Sequence, residues 1–157
     1  MFAPQIEIAV ARHFNYRTNL VVPNVSWGLG LRYEADLVVV RPSGWALEVE
    51  IKCTASDIKA DLKKKKWRRG MWPSKLFREM WFAVPQELAE HPDIPAHVGL
   101  LAVNAGDSWP KVIRRSQIHT NAERLSGEQI QKLKDLLGMR VWTLKEALHR
   151  QKFEVCA

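Results

Sequence analysis

The chain has 157 residues, 46% of them hydrophobic and 26% charged, with a formal net charge of +7. That is the size of one ordinary domain with a real hydrophobic core, and no apolar run approaches the roughly 20 residues that a membrane span needs. Two cysteines, Cys53 and Cys156, make no disulfide framework, and the positive balance is compatible with a polyanionic partner.

Met1 to Glu7 shows no basic segment followed by an apolar one. The expectation is a cytoplasmic protein with reduced thiols and no membrane partner. No repeat, low-complexity tract or long linker divides the chain. It is expected to be a single domain over residues 1–157, with a core to about residue 115 and C-terminal helices over about 126–152.

Ala3 to Phe14 predicts a helix, because Ala3, Ile6, Val10 and Phe14 recur at helical spacing. Leu20 to Val25 is β-prone, and Trp27-Gly-Leu-Gly30 marks a bend or bulge. Glu34–Val40 and Trp45–Thr54 read as two strands joined by the turn Pro42-Ser43-Gly44. Ser56 is placed to cap a helix from Asp57 to Gly70, with acid in its first turn and base in its last. Glu79–Val84 predicts a strand ended by Pro85, then a helical turn over Gln86–Glu90. Val98–Val103 and Lys111–Arg114 read as a strand pair around Asn104-Ala-Gly-Asp107. The last third is helical, with capping-box spacing at Ser126/Gln129 and Thr143/Glu146. The order predicts a mixed α/β fold, a central sheet flanked by helices with a helical C-terminal part.

The hairpin carries the chemistry. In its second strand Trp45, Leu47, Val49, Ile51 and Cys53 alternate with Ala46, Glu48, Glu50, Lys52 and Thr54. Its first strand is almost wholly apolar through Leu37, Val38, Val39 and Val40, as in a sheet covered on both faces. With Pro42–Gly44 as the loop, Arg41 opposes Trp45, and counting outward sets Asp36 opposite Glu50. Opposed residues share a face with Cβ atoms about 4.5–5.5 Å apart, and two carboxylates there repel. A divalent cation gives the arrangement a purpose, since Mg²⁺ is held by one or two carboxylates plus water and phosphate. Lys52, on the same face, is placed to steady charge on a reacting phosphate. The bland reading is a cross-strand ion pair between Glu34 and Lys52, and Glu-x-Lys alone is a common tripeptide. Glu7, at the edge of the first helix's apolar stripe, is a charge in need of a partner.

The run Glu34-Ala-Asp36-Leu-Val-Val-Val, a short turn, then Leu47-Glu-Val-Glu50-Ile-Lys52 resembles the PD-(D/E)XK nuclease superfamily. The continuation through Ser56-Asp57, Ala60-Asp61 and Trp81-Phe-Ala-Val-Pro85 resembles, more narrowly, a bacterial family linked to repair of mitomycin-type DNA damage. The similarity covers roughly Glu7 to Val103, and Ala35 stands where the superfamily's name expects proline. The resemblance implies a restriction-endonuclease-like core, Asp36 and Glu50 as Mg²⁺ or Mn²⁺ ligands with the Ile51 carbonyl, and Lys52 as the catalytic lysine. It also implies a site role for Glu7. The implied activity is hydrolysis of DNA phosphodiesters in repair, recombination or processing of structured DNA. RNA is left open as a substrate and a homodimer as an assembly. The alternative is a nucleic-acid-binding protein of the same fold that does no cleavage.

Lys63, Lys64, Lys66, Arg68 and Arg69 form a dense basic block beside this hairpin, a candidate phosphate-backbone contact whose bland counterpart is a solvated helix face. Trp67 and Trp72 are candidates to stack on unpaired bases, although tryptophan is more often core. The five histidines show no metal-ligand spacing.

Overall fold

The computed structural model describes residues 3–63, 72 and 74–154. Helix α1 (Ala3–His13) leads into β1 (Leu20–Val25), β2 (Ala35–Val40), β3 (Ala46–Ile51), helix α2 (Ala55–Leu62) and β4 (Phe77–Pro85). A 3-10 turn over Gln86–Leu88, then β5 (Gly99–Val103), β6 (Lys111–Arg114) and helix α3 (Gly127–Glu154) complete the chain order. Among the described residues the strands make one six-stranded sheet in sequence order. β1, β2 and β3 are antiparallel, β3, β4 and β5 parallel, and β6 returns antiparallel to β5. The fold is thus mixed α/β with flanking helices. Among the described residues no helix is long and apolar enough to cross a membrane.

Strand alternation sorts the core. Leu37, Val39, Leu47, Val49, Trp81 and Ala83 point to one face, where Ile6, Ala9 and Val10 of α1 cover them. On the other face α3 places Leu133 and Leu136 over Val22, Val38 and Val40. There α2 places Ile58 over Met80 and Phe82. Val38 and Met80 are the partners of Glu48 across the two ladders. The polar strip Glu48, Glu50, Lys52 therefore runs down β3 and just past its end, between two apolar patches.

Local chemistry corrects several of the predicted details. The stripe of α1 uses Ala9, while Ala3 is exposed. Thr54 caps α2 in place of Ser56: its Oγ1 accepts from Asp57 N at 3.1 Å, and Asp57 Oδ2 accepts from Thr54 N at 2.9 Å. The helix therefore starts two residues earlier than Asp57, and it ends at Leu62 with Lys63 at its C-cap, not at Gly70. The Ser126/Gln129 box forms as expected, with bonds of 2.8 and 3.2 Å. Thr143 begins no helix. Its Oγ1 bonds back to Met139 O at 3.1 Å inside the unbroken α3, which hydroxyl residues do without stopping a helix.

Gly99 sits opposite Trp81 in the β4–β5 ladder. A methyl group added there would overlap Trp81 ring carbons and approach the Ser116 amide nitrogen to 2.8 Å. The indole, itself edge-on to Phe14 at 5.8 Å, is thus seated on a bare backbone. Gly99→Ala is expected to destabilise the fold by about 1–3 kcal/mol, the usual range for overpacking. The check is a urea titration, in which the midpoint should fall with the slope unchanged.

Candidate functional site

The site begins with the hairpin turn. Gly44 adopts φ +83°, open to glycine at little cost. The turn closes with Gly44 N donating to Arg41 O at 2.8 Å and Arg41 N to Trp45 O at 2.9 Å. This sets the register Val40↔Ala46, Val39↔Leu47, Val38↔Glu48 and Leu37↔Val49, as the sequence count requires. Bonded pairs recur at every second residue of an antiparallel ladder, so the next slot belongs to Ile51 N–H and the Ala35 carbonyl. There the strands part. Ala35 pairs with Val25 of β1, and Asp36 Oδ2 accepts the Ile51 N–H instead, at 2.8 Å. In an extended strand a residue's N–H and C=O leave on one side, so the Ile51 carbonyl also faces the Asp36 side.

Lys52 follows immediately, its own N–H bonded to Ala83 O at 3.0 Å. Its ammonium lies 2.6 Å from Glu50 Oε2, 3.2 Å from Asp61 Oδ1 and 3.9 Å from Asp36 Oδ2. The Phe82 ring centroid is 5.7 Å away. Glu48, Glu50, Lys52 and Asp61 are all buried, whereas the Asp36 side chain is 37% exposed and forms the lip of the cluster. Burial by itself would lower the pKa of Lys52, but Glu50 and Asp61 outweigh it and hold the ammonium above its usual range.

Asp61 is the residue that sequence reasoning missed. It sits three positions after Ile58 on the buried face of α2, and an acid on a buried helix face wants a cation. The Glu34–Lys52 ion pair does not form, because Glu34 is exposed and Lys52 turns inward. Glu48 is fully buried and accepts from Tyr33 Oη at 2.8 Å. Burial, followed by the Glu48 charge, pushes the Tyr33 hydroxyl well up, so it stays a donor. Glu7 projects from α1, which packs on the opposite sheet face. It feels the charge of Asp36 but is not among the ion-pair partners of Lys52.

The donor set suits a hard divalent cation. Asp36 and Glu50 each bring a carboxylate to Lys52 where the strands part, beside the Ile51 backbone, and Mg²⁺ or Mn²⁺ prefers carboxylate and carbonyl oxygens with water completing the shell. Among the described residues no three His, Cys, Asp or Glu side chains form a ready cage, and Lys52 stands between the carboxylates. Direct repulsion between Asp36 and Glu50, expected from the register, is thereby offset.

Other predicted features lie elsewhere. Lys63 is exposed at the end of α2, while Lys64, Lys66, Trp67, Arg68 and Arg69 lie outside the described residues. Trp72 stacks on His119 at 4.9 Å, with the rings within 4° of parallel, and meets His97 edge-on at 5.6 Å. A surface depression of about 1390 Å³ lies beside His13, Trp81 and Arg114 and not at Lys52. We place the chemistry at Lys52 because charged groups are brought together there, and volume alone does not do chemistry.

No family model and no curated protein matches the chain. Among solved structures it is similar to the SPO1766 protein of unknown function from Silicibacter pomeroyi, at 20% identity and TM-score 0.63, over 96% of this chain and 92% of that one. This likeness shows a shared fold.

Glu7 generates a pH prediction. Burial, and then the Asp36 charge, hold its carboxyl above the ordinary value of 4.5. The folded pKa thus exceeds the unfolded one, and stability falls as pH rises from that value through the folded pKa. Glu7→Gln should melt with the wild type at acid pH and above it at pH 7. Melting curves across this range, in chelator, make the check; parallel curves for the two proteins would contradict it.

Proposed function

We propose that this chain is a Mg²⁺- or Mn²⁺-dependent nuclease of the PD-(D/E)XK type, hydrolysing phosphodiesters of DNA, with RNA left open. The observation that carries the reading is the meeting of Asp36 from β2 and Glu50 from β3 at the ammonium of Lys52, within 3.9 and 2.6 Å. An antiparallel pair leading through α2 into a parallel strand, with the acids at the point of parting, supports a restriction-endonuclease-like core. The residue pattern quoted above also supports a role in DNA repair or in processing structured DNA.

Asp36, Glu50 and the Ile51 carbonyl would hold the cation, which supplies a Lewis acid for the phosphodiester and acidifies water. Asp36, at the exposed lip, meets substrate first. Glu50 is held in place by its short bond to Lys52. Lys52, kept charged and nearly dry, is placed to stabilise negative charge building on the phosphate, and such preorganised charge counts most where water is excluded. Asp61 acts through Lys52 as a positioning residue.

The test is cleavage of labelled single-stranded, duplex and branched DNA in Mg²⁺, Mn²⁺ or chelator. Lys52→Met should lose at least about 100-fold in rate, the scale for removing one preorganised donor, while keeping most of its DNA affinity. Asp36→Asn and Glu50→Gln should lose cleavage and metal dependence together. A melting curve for each variant separates lost chemistry from lost fold. Ordinary cleavage by Lys52→Met would overturn the mechanism. A wild type that binds DNA but cuts nothing in either metal would favour the silent binding protein.

A further inference from the structure

At the opposite end of β3 the charge has the other sign. The β3–β4 ladder slips between Ala46, opposite Phe77, and Leu47, opposite Glu79, so Arg78 is the extra residue of a bulge. Bulges re-aim a side chain, and the Arg78 guanidinium lies 4.1 Å from the centroid of the Trp45 ring. Arg124 reaches the same ring at 5.2 Å. It is delivered by a segment tied to the strand starts through His119 N to Arg78 O at 2.8 Å, Glu123 N to Lys75 O at 2.8 Å and Leu125 N to Gly44 O at 3.0 Å. Arg41 borders the same cleft and is paired with Glu79 at 2.7 Å.

Two guanidiniums therefore share one indole face or edge, against their mutual repulsion, and backbone bonds place both. Among the described residues neither Arg78 nor Arg124 has a carboxylate within ion-pair distance, so the planar donor edges of both remain unspent. Three arginines against Glu79 leave an excess of two positive charges around Trp45. The cleft there, lined by Arg41, Ser43, Trp45, Ala46, Arg78 and Glu79, encloses about 190 Å³, and Arg124 joins it through the Trp45 ring. That falls below the roughly 300 Å³ at which drug-sized ligand pockets begin and suits a small hydrated group. A planar arginine fork matches phosphate oxygens bidentately.

We infer that the cleft around Trp45 is a phosphate-binding site formed by Arg41, Arg78 and Arg124. It stands apart from the Lys52 cluster and needs no cleavage to be seen. The phosphate belongs either to a nucleic-acid strand or to a free phosphate, and one experiment separates the sources. The indole N–H resonance of Trp45, assigned by its loss in Trp45→Phe, is followed during titration with inorganic phosphate, short oligothymidylate or polyglutamate at fixed ionic strength. Both phosphate probes should move it in the wild type and neither should in the Arg78→Gln/Arg124→Gln protein. Oligothymidylate saturating at tenfold or more lower concentration assigns the site to chain phosphates; equal or tighter saturation by inorganic phosphate assigns it to the free ion. In parallel, anisotropy of labelled oligothymidylate should show at least a tenfold weaker Kd for that variant and a salt slope shallower by roughly 0.7 per lost contact. Lys134→Gln/Arg150→Gln, which removes two exposed charges on α3, should change both much less. A resonance unmoved by either phosphate probe, an equal response to polyglutamate, or an equal effect of the two double variants would overturn the inference. Circular dichroism of each variant, Arg78 and Trp45 being half-buried, checks that the fold is kept.

Discussion

A lysine ammonium held out of water sets the terms for the middle of this protein. Removing such an ion from solvent costs several kcal/mol even after relaxation, so β3 can enter the closed sheet face at Lys52 only where anions are waiting. Glu50 is two residues back on the same face, and a short connection lets α2 bring Asp61 from above. Asp36 arrives from the neighbouring strand. The reciprocal cap between Thr54 and Asp57 belongs to the same device. It begins α2 right after Lys52, so that Ile58 and Asp61 face the sheet and α2 covers it with one apolar and one charged contact.

That arrangement adds little to stability, because desolvation offsets most of the attraction within a buried ion cluster. What it supplies is geometry. Three carboxylates and one ammonium with a single exposed member make a closed, rigid group with one opening, at Asp36. The parting of β2 and β3 serves the opening, since the ladder gives up one backbone bond and an acid side chain takes it.

β3 is also polarised along its length. Just before its start, Trp45 is flanked by arginines, and just past its end, Lys52 is flanked by acids. A bulge makes the first and a strand divergence makes the second, two departures from regular pairing at opposite ends of one short strand. Such irregularities concentrate where a sheet aims side chains.

Much of this was legible in the residues. Period-two alternation assigned Glu48, Glu50 and Lys52 to one face of β3, and a turn of known length set Asp36 across from Glu50, because register follows arithmetically from loop length. The strands Leu20–Val25 and Lys111–Arg114 were readable from β-branched runs and their flanking turns. Other features were not legible. Asp61 joins Lys52 only because α2 docks on that sheet face, and contact between a strand and a helix carries no local periodicity. Thr54 prevailed over Ser56 as cap because the position of Asp57 fixes which hydroxyl can be reciprocated. The capping pattern at Thr143 lost to a helix that was already propagating, in which its hydroxyl bonds back to Met139. The sequence by itself determined which side chains share a face, since that depends on backbone period alone. Tertiary structure decided which faces meet, where β2 leaves β3 and that Arg78 bulges toward Trp45, since these follow from burying residues far apart in the chain together.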